Sequence, residues 1–300
     1  MTSLGGPIDI LCIGGLMWDI IGRSPAHMRW GSDVPGRIVR LPGGVALNVA
    51  ITLARFGLTP TLLSAIGRDV EGDELLRACD QMGLVTTYIY RSDHLPTDRY
   101  MAVEGANGLI AAIADAHSLE AAGDKILHPL PRDPLGGATA RYDGYIVLDT
   151  NLTLPVLEQI AHSPAFADAD LRVAPASPGK ADRLLPFLNH AHATFYVNLE
   201  EAGLLCQTEF ETARTAAAGL LRRGALRVLV TDGGNETADG TPDSIITATP
   251  PEVMVTRVTG AGDTFMAAHI TAEATGAGRI AALARALNAA ATYVSGGNPG

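Results

Sequence analysis

Residues 253–274 constrain the fold more than any other stretch of this chain. An apolar, β-branched run at 253–258 reads as a buried strand. Thr259-Gly260-Ala261-Gly262 then interrupts it with residues too small to continue a strand. From Asp263 onward Phe265, Met266, His269 and Ile270 recur at helical spacing. A tight turn therefore joins a strand end to a helix start. The first N–H groups of a helix lack internal partners and carry the positive end of its dipole. Glycines let a ligand approach those groups closely, which makes an anion cradle. A carboxylate at that point, Asp263, repels a ground-state phosphate but is placed to take a proton from a hydroxyl attacking phosphorus. An ordinary strand–helix turn with Asp263 as N-cap accounts for the same residues.

The rest of the chain alternates apolar strands with amphipathic helices, a pattern that implies parallel strands and right-handed crossovers. Strands are expected at 8–13, 61–66, 145–149, 171–174, 194–198 and 228–231. Helices are expected from Val45 to Phe56, stopped by Gly57, and at 71–82, 154–160, 180–188, 211–223 and 279–294, with a hairpin at 240–249. Two segments break the alternation. Residues 22–41 are rich in proline and glycine, and 86–114 carries strand-like runs with no helix between them. Both read as a small sheet, a lid, beside the main layers. At 300 residues the chain is long enough for one large α/β domain.

Composition excludes several classes. A net charge of −10 argues against nucleic acid or an anionic membrane surface as partner. No apolar run spans a bilayer. Cys12, Cys79 and Cys206 show no paired spacing, which fits a reducing cytoplasm. An acidic protein that handles phosphates must use backbone donors, a metal and a few basic groups.

Polar residues gather where open α/β sheets bind ligands, beyond the C-terminal ends of the strands. Asp19 follows the first strand, and Gly43-Gly44 precede a helix carrying Asn48 one turn in. Asn198 and Glu201, three apart, share one face of an early helical turn. An amide and a carboxylate there suit Mg²⁺ held through its waters. Thr231 and Gly233 offer a hydroxyl and permissive backbone for a nucleotide. A Walker A loop is absent, and the GxGxxA match at Gly276 follows a helix rather than a strand, so a dinucleotide oxidoreductase is disfavoured.

These motifs, in this order, resemble the ribokinase-like (PfkB) family of sugar and nucleoside kinases. Thr259-Gly-Ala-Gly-Asp-Thr-Phe265 resembles its C-terminal signature, Gly43-Gly44-Val-Ala-Leu-Asn48 its N-terminal one, and Asn198-Leu-Glu-Glu201 its NxxE element. The resemblance covers essentially the whole chain, residues 1–300, as one domain. It implies a three-layer α/β/α sandwich with a mostly parallel central sheet and a β-sheet lid. It implies transfer of the γ-phosphoryl of ATP, with Mg²⁺, to a substrate hydroxymethyl. Asp263 would be the base; Gly260, Ala261 and Gly262 the anion hole; Glu201 the organiser of Mg²⁺ water. Asp19, with Gly43, Gly44 and Asn48, would grip substrate hydroxyls, while Asn198, Thr231 and Gly233 would face the nucleotide.

Within the family, Asp33-Val-Pro-Gly-Arg-Ile38, Asp149-Thr-Asn-Leu152 and Ser177-Pro-Gly-Lys180 resemble segments of the pseudouridine kinase group. Leu47 departs from it, standing where Arg is common. The expected substrate is accordingly a ribosyl compound, pseudouridine first, phosphorylated on its 5′-hydroxyl. A free ketose or aldose is the alternative, and a ligand sensor without turnover a further one. The lid strands also offer a contact for a homodimer.

Overall fold

The computed structural model describes residues 9–130 and 142–299. The chain opens with β1 (Asp9–Ile13), β2 (Met17–Arg23) and β3 (Arg37–Gly43), then α1 (Val45–Arg55). Strands β4 (Thr59–Leu63) and β5 (Ala65–Gly67) lead into α2 (Val70–Gln81). Next come β6 (Tyr90–Ser92), β7 (Arg99–Gly105), β8 (Gly108–Asp115) and α3 (Ser118–Ala122). The second half runs β9 (Tyr145–Asp149), α4 (Leu154–His162), β10 (Asp170–Ala174), β11 (Ala193–Asn198), α5 (Leu199–Cys206) and α6 (Ala213–Arg222). It ends with β12 (Arg227–Thr231), β13 (Thr237–Gly240), β14 (Ile245–Ala248), α7 (Ala261–Ala274) and α8 (Arg279–Val294).

The main sheet has the order β14-β13-β12-β11-β10-β9-β1-β4. From β4 to β12 every pairing is parallel, and β13 and β14 add an antiparallel edge. Strand alternation divides the core into two layers. Leu11 and Ile13 face α4, α5 and α6 through Leu157, Leu205 and Leu220. Ile10 and Cys12 face α1, α7 and α8 through Leu47, Phe265 and Leu283. Burial on both faces explains why these strands read as continuous apolar runs.

The lid is a separate sheet of order β3-β2-β7-β8. Its central pair, β2 with β7, is parallel and joins segments some 80 residues apart in sequence, as in Asp19 opposite Tyr100. The expected lid strand at 86–90 is not part of it. Residues 86–89 form no strand, with a turn at 87–88, and the short β6 that begins at Tyr90 pairs with β5 instead.

Two further expectations are corrected. Residues 253–258 form no strand; Met254, Val255 and Val258 are exposed. Pro250 and Pro251 precede the run, and proline cannot donate to a sheet ladder. The backbone N–H groups of Thr256 and Arg257 donate instead to the Val294 carbonyl at the end of α8, at 2.8 and 3.2 Å. The segment at 178–187 is a 3₁₀ helix rather than an α-helix. Pro178 begins it and Pro186 sits inside it, where an α-helical hydrogen bond would be lost.

Candidate active site

Asp263 sits in the first turn of α7, whose N-cap is Gly260 with φ 90° and no side-chain cap. The helix thus begins with its N–H donors unmet by any side chain. Tyr293 closes the turn from behind, its hydroxyl donating to the Thr259 carbonyl at 2.8 Å. A Cβ on Gly260 would lie 2.5 Å from that hydroxyl, whereas one on Gly262 would meet nothing within 4 Å. The space beside Gly262 is where an anion can approach the helix end. Gly260→Ala should lower stability, because an L-residue in this left-handed conformation costs about 1–2 kcal/mol before the Tyr293 contact is counted. Gly262→Ala should leave the melting temperature unchanged and weaken nucleotide binding. Thermal melts and nucleotide titrations of the two variants check the contrast.

Burial pushes the Asp263 carboxyl up to about 7. A hydrogen bond from the Asn48 amide, 2.8 Å long, opposes this; Asp149, Asp19 and Glu201 reinforce it as neighbouring negative charges. Such a carboxylate is a usable general base near neutral pH. Asn48, expected at the substrate hydroxyls, lines the cavity, and its Nδ2 donates to Asp263 Oδ2.

Asp19 lies within β2 of the lid, not in a loop beyond β1. Burial lifts its carboxyl to about 6. Gly43, opposite Met17 at the end of β3, is close behind Asp19: a Cβ there would lie 2.1 Å from the Asp19 carboxyl. Gly43 therefore makes room for Asp19 and does not line the cavity itself. Gly44 adopts φ 106°, and a Cβ on it would meet the Gly15 carbonyl at 2.3 Å. Glycine at 44 is required twice over, by conformation and by space.

Gly44 is also the N-cap of α1 and has no side chain to cap it. Asp149, fully buried at the end of β9, supplies the acceptor from a distance. Its Oδ2 receives the Ala46 and Gly15 N–H groups, each at 2.9 Å, and its Oδ1 that of Asn151 at 2.8 Å. One carboxylate thereby ties the turn after β1 to the start of α1.

Asn198 caps α5 in a reciprocal box: its Oδ1 accepts from the Glu201 N–H, and Glu201 Oε2 accepts from the Asn198 N–H, both at 2.8 Å. Burial raises the Glu201 carboxyl. Thr231 ends β12 next to Asn198 in register, with Gly233 just beyond.

A cavity of about 630 Å³ brings these groups together. Asp19, Gly44, Asn48, Asn198, Glu201, Thr231, Gly233, Gly260, Ala261, Gly262 and Asp263 all line it. Tyr100 and Ala114 of the lid do too, as does Tyr196. Lys180 is the only Lys or Arg lining it among the described residues, and its ammonium donates to Asn151 Oδ1 at 3.1 Å. Tyr100, Tyr196, Asn151 and Lys180 were not singled out as site residues from the sequence. The one signal for the last two was their presence in segments resembling a known subgroup.

Among the described residues no three His, Cys, Asp or Glu side chains cluster as a ready metal cage. A carboxylate held as Glu201 is suits a divalent ion kept through water and phosphate oxygens rather than by the protein alone. Among these residues no helix is long and apolar enough to cross a membrane.

The family model for pfkB family carbohydrate kinases matches residues 8–300. Pseudouridine kinase of Escherichia coli is 29% identical over 273 residues, covering 86% of this chain and 81% of that protein. Ribokinase of Bacillus subtilis is 26% identical over 300 residues, covering 95% and 92%. A solved carbohydrate kinase from Agrobacterium tumefaciens superposes with a TM-score of 0.80 at 25% identity, over 97% of this chain and 93% of that one.

Proposed function

The chain belongs to the pfkB family of carbohydrate kinases, and on that premise we propose that it transfers the γ-phosphoryl of MgATP to the 5′-hydroxyl of a ribosyl substrate, pseudouridine first. Family membership makes it a phosphotransferase with an alcohol acceptor. The observation that carries the site assignment is Asp263, a carboxylate of near-neutral basicity at an uncapped helix start. In this reading Asp263 takes the proton of the attacking hydroxyl. The N–H groups at the start of α7 hold the charge that develops on the transferring group. Asp19, projecting from the lid, accepts hydrogen bonds from sugar hydroxyls and orients the acceptor.

ATP supplies the phosphoryl group, and Mg²⁺ neutralises phosphate charge. The uncapped end of α7 and the open space at Gly262 fit the nucleotide's phosphates. Asn198, Thr231 and Gly233 would hold the nucleotide, with Glu201 beside the ion. Lys180, already hydrogen-bonded to Asn151, would read a base with its remaining N–H donors, which suit ring carbonyl groups. Similarity to the pseudouridine kinase supports the nucleoside. Similarity to the ribokinase supports the alternative, a free ketose or aldose.

The deciding measurement is kcat/KM for pseudouridine, uridine, ribose and fructose side by side. Pseudouridine should lead. A tenfold or larger lead for a free sugar, on the order of 1.4 kcal/mol in transition-state binding, would move the substrate to that sugar. Phosphorylation of none with ATP still bound would favour a sensor. Asp19→Ala should abolish activity on every substrate in the panel, because a site built around hydroxyls loses orders of magnitude when a partner is missing.

Ile38, Met101 and Ile113 are exposed on one face of the lid, and that face is where we place a homodimer contact. All three cysteines are unpaired, which supports a cytoplasmic setting.

A further inference from the structure

A second cavity, of about 530 Å³, shares no lining residue with the first. Its volume is within the range of small-molecule sites. Arg68, Arg91, Lys125 and His128 line it, with Tyr88 and Tyr90, which are partly buried against the core. No carboxylate lines it among the described residues. In a chain of net charge −10, this is a local reversal of sign. The chain contains two lysines in all, Lys125 and Lys180. One faces the cavity that holds Asp263, the other faces this one.

The basic groups differ in how they are held. Arg91 is anchored by its Nε and Nη2 on the Gly67 carbonyl, at 3.2 and 3.0 Å, and Nη2 also reaches Asp73. Lys125 has no ion pair among the described residues; its ammonium lies 5.5 Å above the Tyr90 ring. Arg68 pairs with Asp93 and Arg91 with Asp73, but both carboxylates are more than half exposed. Pairs this open to water are weak, so an incoming anion competes with them easily. Guanidinium groups suit phosphate through paired N–H donors, and phenol rings offer faces for a planar group.

We propose that this cavity binds a phosphorylated small molecule carrying a planar ring, its phosphate among Lys125, Arg91 and His128 and its ring against Tyr88. The proposal does not depend on which substrate the kinase uses.

The two lysines make a residue-resolved test possible. The full-length protein is labelled with an amine-acylating reagent, and each lysine is followed by peptide mass spectrometry. Uridine 5′-monophosphate is the probe and uridine the control. At probe concentrations tenfold above its dissociation constant, acylation of Lys125 should slow about tenfold, the fraction left unliganded. Uridine should protect Lys125 far less. Arg91→Gln, with a melt to confirm its fold, should weaken protection at Lys125 and leave the behaviour of Lys180 as in the wild type. Labelling of Lys125 that the monophosphate does not change would overturn the proposal, whatever happens at Lys180. So would equal protection by uridine, since no anion would then be recognised. Protection at Lys180 reports separately on the catalytic cavity, so failure of one site is distinguishable from failure of the other.

Discussion

Asp263→Asn should lower turnover by on the order of 10²–10⁴, the usual contribution of a positioned general base, while nucleotide binding and fold persist. Asparagine keeps the shape and the contact to Asn48 but cannot accept the proton. The wild-type pH profile carries a second signature. A carboxyl raised to about 7 is protonated, and useless as a base, below that pH. Turnover should therefore climb as pH rises through neutrality. Asn48→Ala removes the hydrogen bond that pulls the Asp263 pKa down. Its acid limb should move to higher pH, with a smaller loss of turnover at the alkaline plateau than Asp263→Asn shows. Steady-state rates across a pH series measure all three. Near wild-type turnover in Asp263→Asn would sink the base assignment, and an unmoved acid limb in Asn48→Ala would sink the tuning role.

The largest structural effect is expected at Asp149. Its carboxylate is the buried acceptor for the N–H groups of Gly15, Ala46 and Asn151. Asp149→Ala strands two buried donors, the N–H groups of Gly15 and Ala46, each at about 1–3 kcal/mol, and leaves the part-buried N–H of Asn151 without its acceptor. A net loss of about 3–5 kcal/mol allows for partial relaxation of the turn. Asp149→Asn keeps one carbonyl acceptor and should fall between. Urea denaturation with an unchanged m-value measures the loss. A midpoint equal to the wild type would show that the turn holds without it.

Asp149 also shows where sequence reading stops. Its place at a strand end is visible from the pattern Tyr-Ile-Val-Leu-Asp, and β9 falls on the expected residues. Its work as a cap for α1 is invisible, because the helix it caps begins more than a hundred residues earlier. Helix starts are read from a local Ser, Thr, Asp or Asn, and Gly44 offers none. The same holds for Asn48. A costly mid-helix Asn announces a reason for itself, but only packing of α1 against α7 reveals that the reason is Asp263.

Alternating strands and helices were legible because both layers of the core select for them. The run at 253–258 was misread because apolar composition alone does not provide a strand with a neighbour. Its backbone groups found the end of α8 instead. Parallel pairing of β2 with β7 is equally silent in sequence, since no hairpin turn connects them.

The bonds that define the candidate site span 103, 134 and 215 residues of chain. Closing loops of that length must precede any reward from the contacts they enclose. Helices such as α8 and the β13–β14 hairpin can form early and locally. The carboxylate at 263 acquires its partner only once the last third of the chain has docked against the first helix. The candidate site is therefore expected to assemble late in folding, after most secondary structure. A nascent chain that ends before α7 carries every strand of the lid and of the main sheet, but not the carboxylate at 263.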